Sequence, residues 1–225
     1  MKPVRICLVG ATGLVGSRLI HAVVGRADLR IVGVARREMP LPPGAQMEML
    51  VAEPWGWADA IAASNANVLV CALGTTIRAQ GGDQAAFRAI DHDLVLDCAR
   101  AAKTAGIGHM VLVSSVGADR ASRNFYLRVK GETEDALAKL HFTRLDILRP
   151  ALLRGPRAER RPAERLAMIL NPLIDPFLRG GLRRFHSIKA DTMVQAVIAL
   201  AKEKAGGRFV HEYDAMRYAI RRARG

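Results

Sequence analysis

The stretch "VRICLVGATGLVGSRLI", residues 4 to 20, most constrains what this chain can fold into. A short apolar run meets glycine abruptly, Gly10, Gly13 and Gly16 follow, and an amphipathic segment takes over. The apolar run reads as a buried parallel strand. The segment after it reads as a helix, with Gly25 as its stop. At such a turn Gly10 permits the sharp bend, Gly13 lets the backbone approach a pyrophosphate, and Gly16 allows helix and sheet to pack closely. The free amides and the positive end of the helix would then face the phosphates, with Leu14 and Val15 as the first helical positions. With 20 glycines in the chain, three in a row of this kind carry little weight alone. Their place between a strand and a helix is what makes them a dinucleotide cradle.

The remaining elements repeat the alternation. "LRIVGVARR" is a second strand, a proline-rich loop covers 40 to 44, "MEMLV" is a short third strand, and a helix follows around "WADAIAAS". "NVLVCALGTT" is a fourth strand ending in a glycine-threonine loop, and a long helical stretch runs from Gln84 to Ala105. "HMVLVSSVGA" is the fifth strand, "NFYLRVKGETEDALAKL" a helix, and "RLDILRPALL" the sixth strand. Strands that alternate with helices predict an α/β fold: a doubly wound, mostly parallel sheet of the Rossmann kind, with helices on both faces. At 225 residues and 50% hydrophobic, one domain is expected. Residues 1–150 form its dinucleotide-binding core, and 151–225 a small substrate-covering region and C-terminal helix. The pattern loosens after Pro150 and resumes in the helical "DTMVQAVIALAKEK".

The end of the second strand selects the dinucleotide. An acidic residue there would bond the ribose hydroxyls of NAD and repel a 2′-phosphate. Arg36 and Arg37 stand there instead. Two guanidinium groups suit a phosphate, one by bidentate hydrogen bonds and one by stacking on adenine, so the expected cofactor is NADP(H).

"FYLRVKGE" places Tyr126 and Lys130 four residues apart on a helix, about 5 to 6 Å from each other on one face. The spacing alone decides nothing, because Tyr213 and Tyr218 have Arg217 and Arg222 at the same distance. Context decides, since Ser114 and Ser115 close the fifth strand just before that helix, at the carboxyl ends where such sheets bind ligands. Reducing a carbonyl requires a proton at oxygen while hydride reaches carbon. A phenol with a pKa of about 10 needs tuning for that task. A neighbouring ammonium favours the phenolate. Ser115, Tyr126 and Lys130 are therefore the candidate catalytic set: Ser115 orients the carbonyl, Tyr126 moves the proton, and Lys130 tunes it and holds the nicotinamide ribose.

"GATGLVG", "CALGTT", "VLVSSVGAD", "NFYLRVKGETE" and "RLDILRPALLRGPR" together resemble the atypical short-chain dehydrogenase/reductase superfamily, most of all the branch that includes the animal Tat-interacting oxidoreductase. The resemblance runs from the first strand to about residue 160. It implies an NADP(H)-dependent oxidoreductase in which Gly10, Thr12, Gly13 and Gly16 hold the diphosphate, and Arg36 and Arg37 favour NADP. Leu73, Gly74 and Thr75 contact the cofactor, as do Tyr126 and Lys130. Pro150, Ala151 and Leu152 offer backbone contacts at the nicotinamide end. Many superfamily members place an asparagine in the helix after the fourth strand to support a proton relay. Here that helix carries Asp91, Asp93 and Asp97 and no asparagine. That departure favours, as the alternative, an NADP(H)-binding regulatory or interaction protein without turnover.

The net charge of +13 sits mostly in the last third, since residues 149 to 225 hold 17 Lys/Arg against 7 Asp/Glu. Such asymmetry suits an anionic ligand, an acidic membrane surface or plain solubility. No aromatic residues interleave with these arginines as single-strand binding would require, so no specific nucleic-acid partner is expected. The partner expected is a small-molecule substrate, apolar or anionic, for a monomer or homodimer. "LAMILNPLIDPFLRGGLRRF" admits three readings: a lid over an apolar substrate, a peripheral membrane contact, or a capping helix of the core. Cys7, Cys71 and Cys98 have no metal-ligand or disulfide spacing, which suits a reducing compartment and no metal. With no export signal and no apolar run of membrane-spanning length, the expected location is cytoplasmic.

Overall fold

A computed structural model describes residues 2–155 and 178–224 of the chain. Its centre is a parallel sheet of seven strands, β1 (Val4–Val9), β2 (Leu29–Ala35), β3 (Glu48–Val51), β4 (Val68–Cys71), β5 (His109–Val113), β6 (Arg144–Leu148) and β9 (Gly207–His211), in the order β3-β2-β1-β4-β5-β6-β9. A short parallel pair, β7 (Leu153–Arg154) with β8 (Ile188–Lys189), stands beside it. The doubly wound fold expected from the alternation is the one observed. Its order reverses between β1 and β4, the position where folds of this type open a ligand crevice.

Strands β1, β2, β4, β5 and β6 are buried on both faces, which is why they read as apolar runs instead of alternating ones. Ile6 and Leu8 of β1 join Val68, Val70 and Val111 on one face, under α1 (Leu14–Val23), α6 (Ala190–Ala201) and α7 (Tyr213–Arg222). Cys7 and Val9 point the other way, toward α2 (Trp57–Ala63), α4 (Leu94–Thr104) and α5 (Phe125–Ala138). Burial pushes the Cys7 and Cys71 thiols up to about 11, so these cysteines pack as small apolar residues.

Where the elements differ from expectation the causes are local. The long helical stretch is α3 (Gln84–Arg88) running into α4 through a π turn over Ala89–Asp93. Strand β6 ends at Leu148, because Pro150 cannot donate to a ladder, and Ala151 and Leu152 lie in a bend. Strand β9 was not foreseen: it is an edge strand whose Arg208 and Val210 are exposed, so "GRFVH" lacks the buried run that betrays its neighbours. Residues 166 to 177 of the segment read as lid, membrane contact or capping helix lie outside the described residues. Its end forms a 3₁₀ turn over Gly180–Phe185.

Candidate active site

Parallel strands bring their carboxyl ends to one edge of the sheet, and the expected site residues follow those ends. Gly10 to Gly16 follow β1, Arg36 and Arg37 follow β2, Leu73 to Thr75 follow β4, Ser114 and Ser115 follow β5, and Pro150 to Leu152 follow β6.

The turn after β1 is built around missing side chains. Gly10 has φ +90°, and a Cβ there would lie 2.5 Å from the Ala72 carbonyl carbon at the end of β4. A Cβ on Gly16 would lie 2.2 Å from the Gly10 carbonyl oxygen, so only glycine lets α1 close onto the turn. Gly13 donates its N–H to that carbonyl at 3.1 Å and caps α1 without any side-chain hydrogen bond. The first amides of α1 therefore have no partner within the helix or from its cap, and no acidic residue stands in its first turn. Thr12 and Gly13 are exposed, while Val15 packs into the core and has its backbone alone to offer a ligand. The Leu14 side chain lies against Gly155, just past β7. This cradle fits the diphosphate of a dinucleotide, because every group that would repel or block one is absent from it.

Arg36 and Arg37 are exposed directly after β2, and among the described residues neither pairs with a carboxylate. At the loop after β4, Gly74 is exposed, and the Thr75 N–H donates to Asp91 Oδ2 at 2.8 Å. Helix α5 begins at Asn124, whose side chain accepts from the Leu127 N–H. Tyr126 and Lys130 stand one turn apart on it. Tyr126 is half-buried, its ring 5.6 Å from that of the buried Phe87, and Ser115 is half-buried after β5.

Lys130 is only 6% exposed, and its Nζ lies 2.7 Å from Asp91 Oδ1. Burial works against the ammonium, but Asp91 and Tyr126 outweigh it and hold Lys130 above the ordinary lysine value. Asp91 is the member of the three aspartates that turns inward, at 1% exposure, whereas Asp93 and Asp97 remain in solvent. Its sequence signal was available: Phe87, Asp91 and Val95 recur at intervals of four, on the buried stripe of the helical run. A second missed residue is Glu134, one turn beyond Lys130 and 1% exposed. It accepts from Ser114 Oγ and from Arg149, tying α5 to the ends of β5 and β6. No group of three or more His, Cys, Asp or Glu side chains among the described residues could hold a metal ion.

Residues 10–162 match the model of an NAD(P)H-binding family. The chain belongs to that family. Its relatives include "Protein fmp52, mitochondrial" of Emericella nidulans, 34% identical over 211 residues, covering 90% of this chain and 87% of the relative. The "Protein FMP52, mitochondrial" of Candida glabrata is 39% identical over 154 residues, covering 68% of this chain and 65% of that one. Among solved structures, the UDP-glucose 4-epimerase of Thermotoga maritima superposes with a TM-score of 0.70 at 13% identity, covering 98% of this chain and 81% of its own. MoeE5 in complex with UDP-glucose and NAD gives 0.65 at 20% identity, covering 92% and 74%. At such identities these structures share the fold of the family, an NAD(P)-binding Rossmann domain.

The expectation of a cytoplasmic protein is corrected by these relatives, several of which, at 32 to 39% identity, carry the name mitochondrial. The physical reason is that free, buried cysteines separate a reducing compartment from an oxidising one, not the cytoplasm from a mitochondrion. A charged, folded surface carries no address of its own.

Proposed function

We propose that the chain is an NADP(H)-dependent oxidoreductase of the short-chain type, interconverting a carbonyl and an alcohol in a mitochondrial setting. The observation that carries this reading is Lys130, buried and charged one helical turn from Tyr126, beside the loop that follows β4. Gly10 to Gly16 and the first amides of α1 would hold the diphosphate, and Arg36 and Arg37, without carboxylate partners among the described residues, a 2′-phosphate. Leu73 to Thr75 and Pro150 to Leu152 would flank the nicotinamide end. Membership of the branch that includes the Tat-interacting oxidoreductase would rest on "GATGLVG", "CALGTT", "VLVSSVGAD", "NFYLRVKGETE" and "RLDILRPALLRGPR" taken together.

A nicotinamide held there would supply hydride chemistry, toward a carbonyl carbon in reduction and from an alcohol in oxidation. The Tyr126 hydroxyl gives its proton to the carbonyl oxygen as hydride arrives, leaving an alcohol. Lys130 carries the positive charge that steadies the phenolate left behind, and the Ser115 hydroxyl donates a hydrogen bond that orients the carbonyl. The second reading, a nucleotide-binding regulator, draws on the ion pair itself, since Asp91 neutralises part of the charge that Tyr126 would use.

The test is NADPH oxidation against a panel of carbonyl compounds and quinones, followed by Tyr126→Phe on the best substrate. Turnover that falls at least about a hundredfold, the scale of a lost proton donor, with NADPH binding retained, supports the enzyme. Binding without turnover on any member of the panel supports the regulator.

A further inference from the structure

Resting on the cofactor reading above, we propose that Asp91 is the positioning residue of this site: its carboxylate keeps Lys130 charged in a dry place and ties that charge to the cofactor-facing loop after β4. The helix that carries it widens into a π turn over Ala89–Asp93, which brings Asp91 inward. There Oδ2 accepts the Thr75 N–H at 2.8 Å, and the Asp91 carbonyl accepts from Thr133 Oγ1 at 3.1 Å. Oδ1 forms an ion pair with Lys130 Nζ at 2.7 Å and, among the described residues, has no hydrogen-bond partner. A Cβ on Gly74 would lie 3.6 Å from Oδ1 and 3.9 Å from Nζ, ordinary contact distances, so the loop passes directly over the ion pair. One carboxylate thus holds both a backbone amide of the loop and the ammonium of α5.

The charge balance makes a carboxylate necessary where an amide would fit by shape. The groups that act on Lys130 are Asp91 from the π turn, Tyr126 from its own helix and the thiol of Cys71 from the end of β4. Glu134, a turn further along α5, is committed to Ser114 and Arg149. Of these, Asp91 is the carboxylate in contact with the ammonium. A lysine buried without such a partner loses its proton in the neutral range. With asparagine at 91 the Thr75 contact survives and the charge does not.

The experiment is a set of NADPH titrations, read by nicotinamide fluorescence from pH 6.5 to 9, on the wild type, Asp91→Asn and Asp91→Glu. The quantity read is each variant's dissociation constant divided by that of the wild type at the same pH, which cancels titration of NADPH itself. The proposal expects the Asp91→Asn ratio to grow about tenfold or more across this range, the weight of one charged hydrogen bond, and the Asp91→Glu ratio to stay flat. An Asp91→Asn ratio that stays flat makes the residue merely structural and overturns the proposal. A second measurement uses the wild type alone: the 13Cε resonance of Lys130, assigned by its loss in Lys130→Arg, should show no titration below the ordinary lysine range. A midpoint in the neutral range overturns the proposal even if Asp91→Asn does not fold. Failure of the wild type to bind NADPH at any pH would sink the cofactor reading instead, and the resonance would still decide the ion pair.

Discussion

Gly16 shows how a single hydrogen atom can hold a cofactor site open. A methyl group there would sit 2.2 Å from the Gly10 carbonyl, so Gly16→Ala must push α1 away from the turn or twist the turn itself. Overpacking of this kind costs about 1–3 kcal/mol, and the expected outcome is a lowered denaturation midpoint together with loss of NADPH binding. Arg36 and Arg37 act differently, because they are exposed and lack carboxylate partners among the described residues. Arg36→Ala and Arg37→Ala are expected to leave the denaturation midpoint within about 0.5 kcal/mol of the wild type. Legibility at this scale divided along the same line. The glycines, Tyr126, Lys130 and the arginines stand in short motifs whose spacing encodes a turn or a helix face. Asp91 stands on the buried stripe of its helical run, so its burial was legible, but its partner Lys130, 39 positions on, and the partner of Glu134, Arg149, 15 on, are set by the fold and by no local pattern.

At the scale of elements, the last strand depends on a polar cluster inside the sheet. Asp146 of β6 is fully buried and receives Arg144 through Nε at 2.6 Å, His109 through Nε2 at 2.8 Å, and His211 of β9 through Nε2 at 2.8 Å. Arg144 also reaches the Ala205 carbonyl and lies over the Phe209 ring at 4.4 Å, so β9 is fastened to β6 by charge as well as by its ladder. Removing one partner of a buried pair costs about 3–5 kcal/mol, and Asp146→Ala should do so while hydrogen exchange speeds up across residues 207–211. Burial raises the Asp146 carboxyl, but His109, His211 and Arg144 together hold it well below the usual carboxylate range. A depressed folded value means stability that is complete above the ordinary carboxylate pKa of about 4 and lost as pH falls below it. Chemical denaturation between pH 5 and 2 should therefore show a steeper loss for the wild type than for Asp146→Asn. This cluster explains why β9 was missed: what secures it is a set of contacts across strands, and its own residues carry neither a buried run nor a clean alternation.

The molecule is a parallel sheet whose five inner strands announce themselves because both faces are covered, and whose order of elements follows from the crossovers that parallel strands demand. The location was not legible, since nothing in a reduced, charged domain distinguishes one internal compartment from another. Neither was a substrate, because the glycine turn after β1 has the chemistry of a diphosphate cradle and says nothing of what would stand beside a nicotinamide. We propose that dinucleotide choice lies with that turn and with Arg36 and Arg37. Its most direct measurement is a titration of NADPH and NADH against the wild type and an Arg36→Ala/Arg37→Ala double variant. The account predicts saturable binding with NADPH favoured by about tenfold or more, the weight of charge-assisted hydrogen bonds to one phosphate, and a double variant in which that preference vanishes while NADH binding is kept. Equal affinity of the wild type for both dinucleotides, or a preference that survives in the double variant, would contradict it.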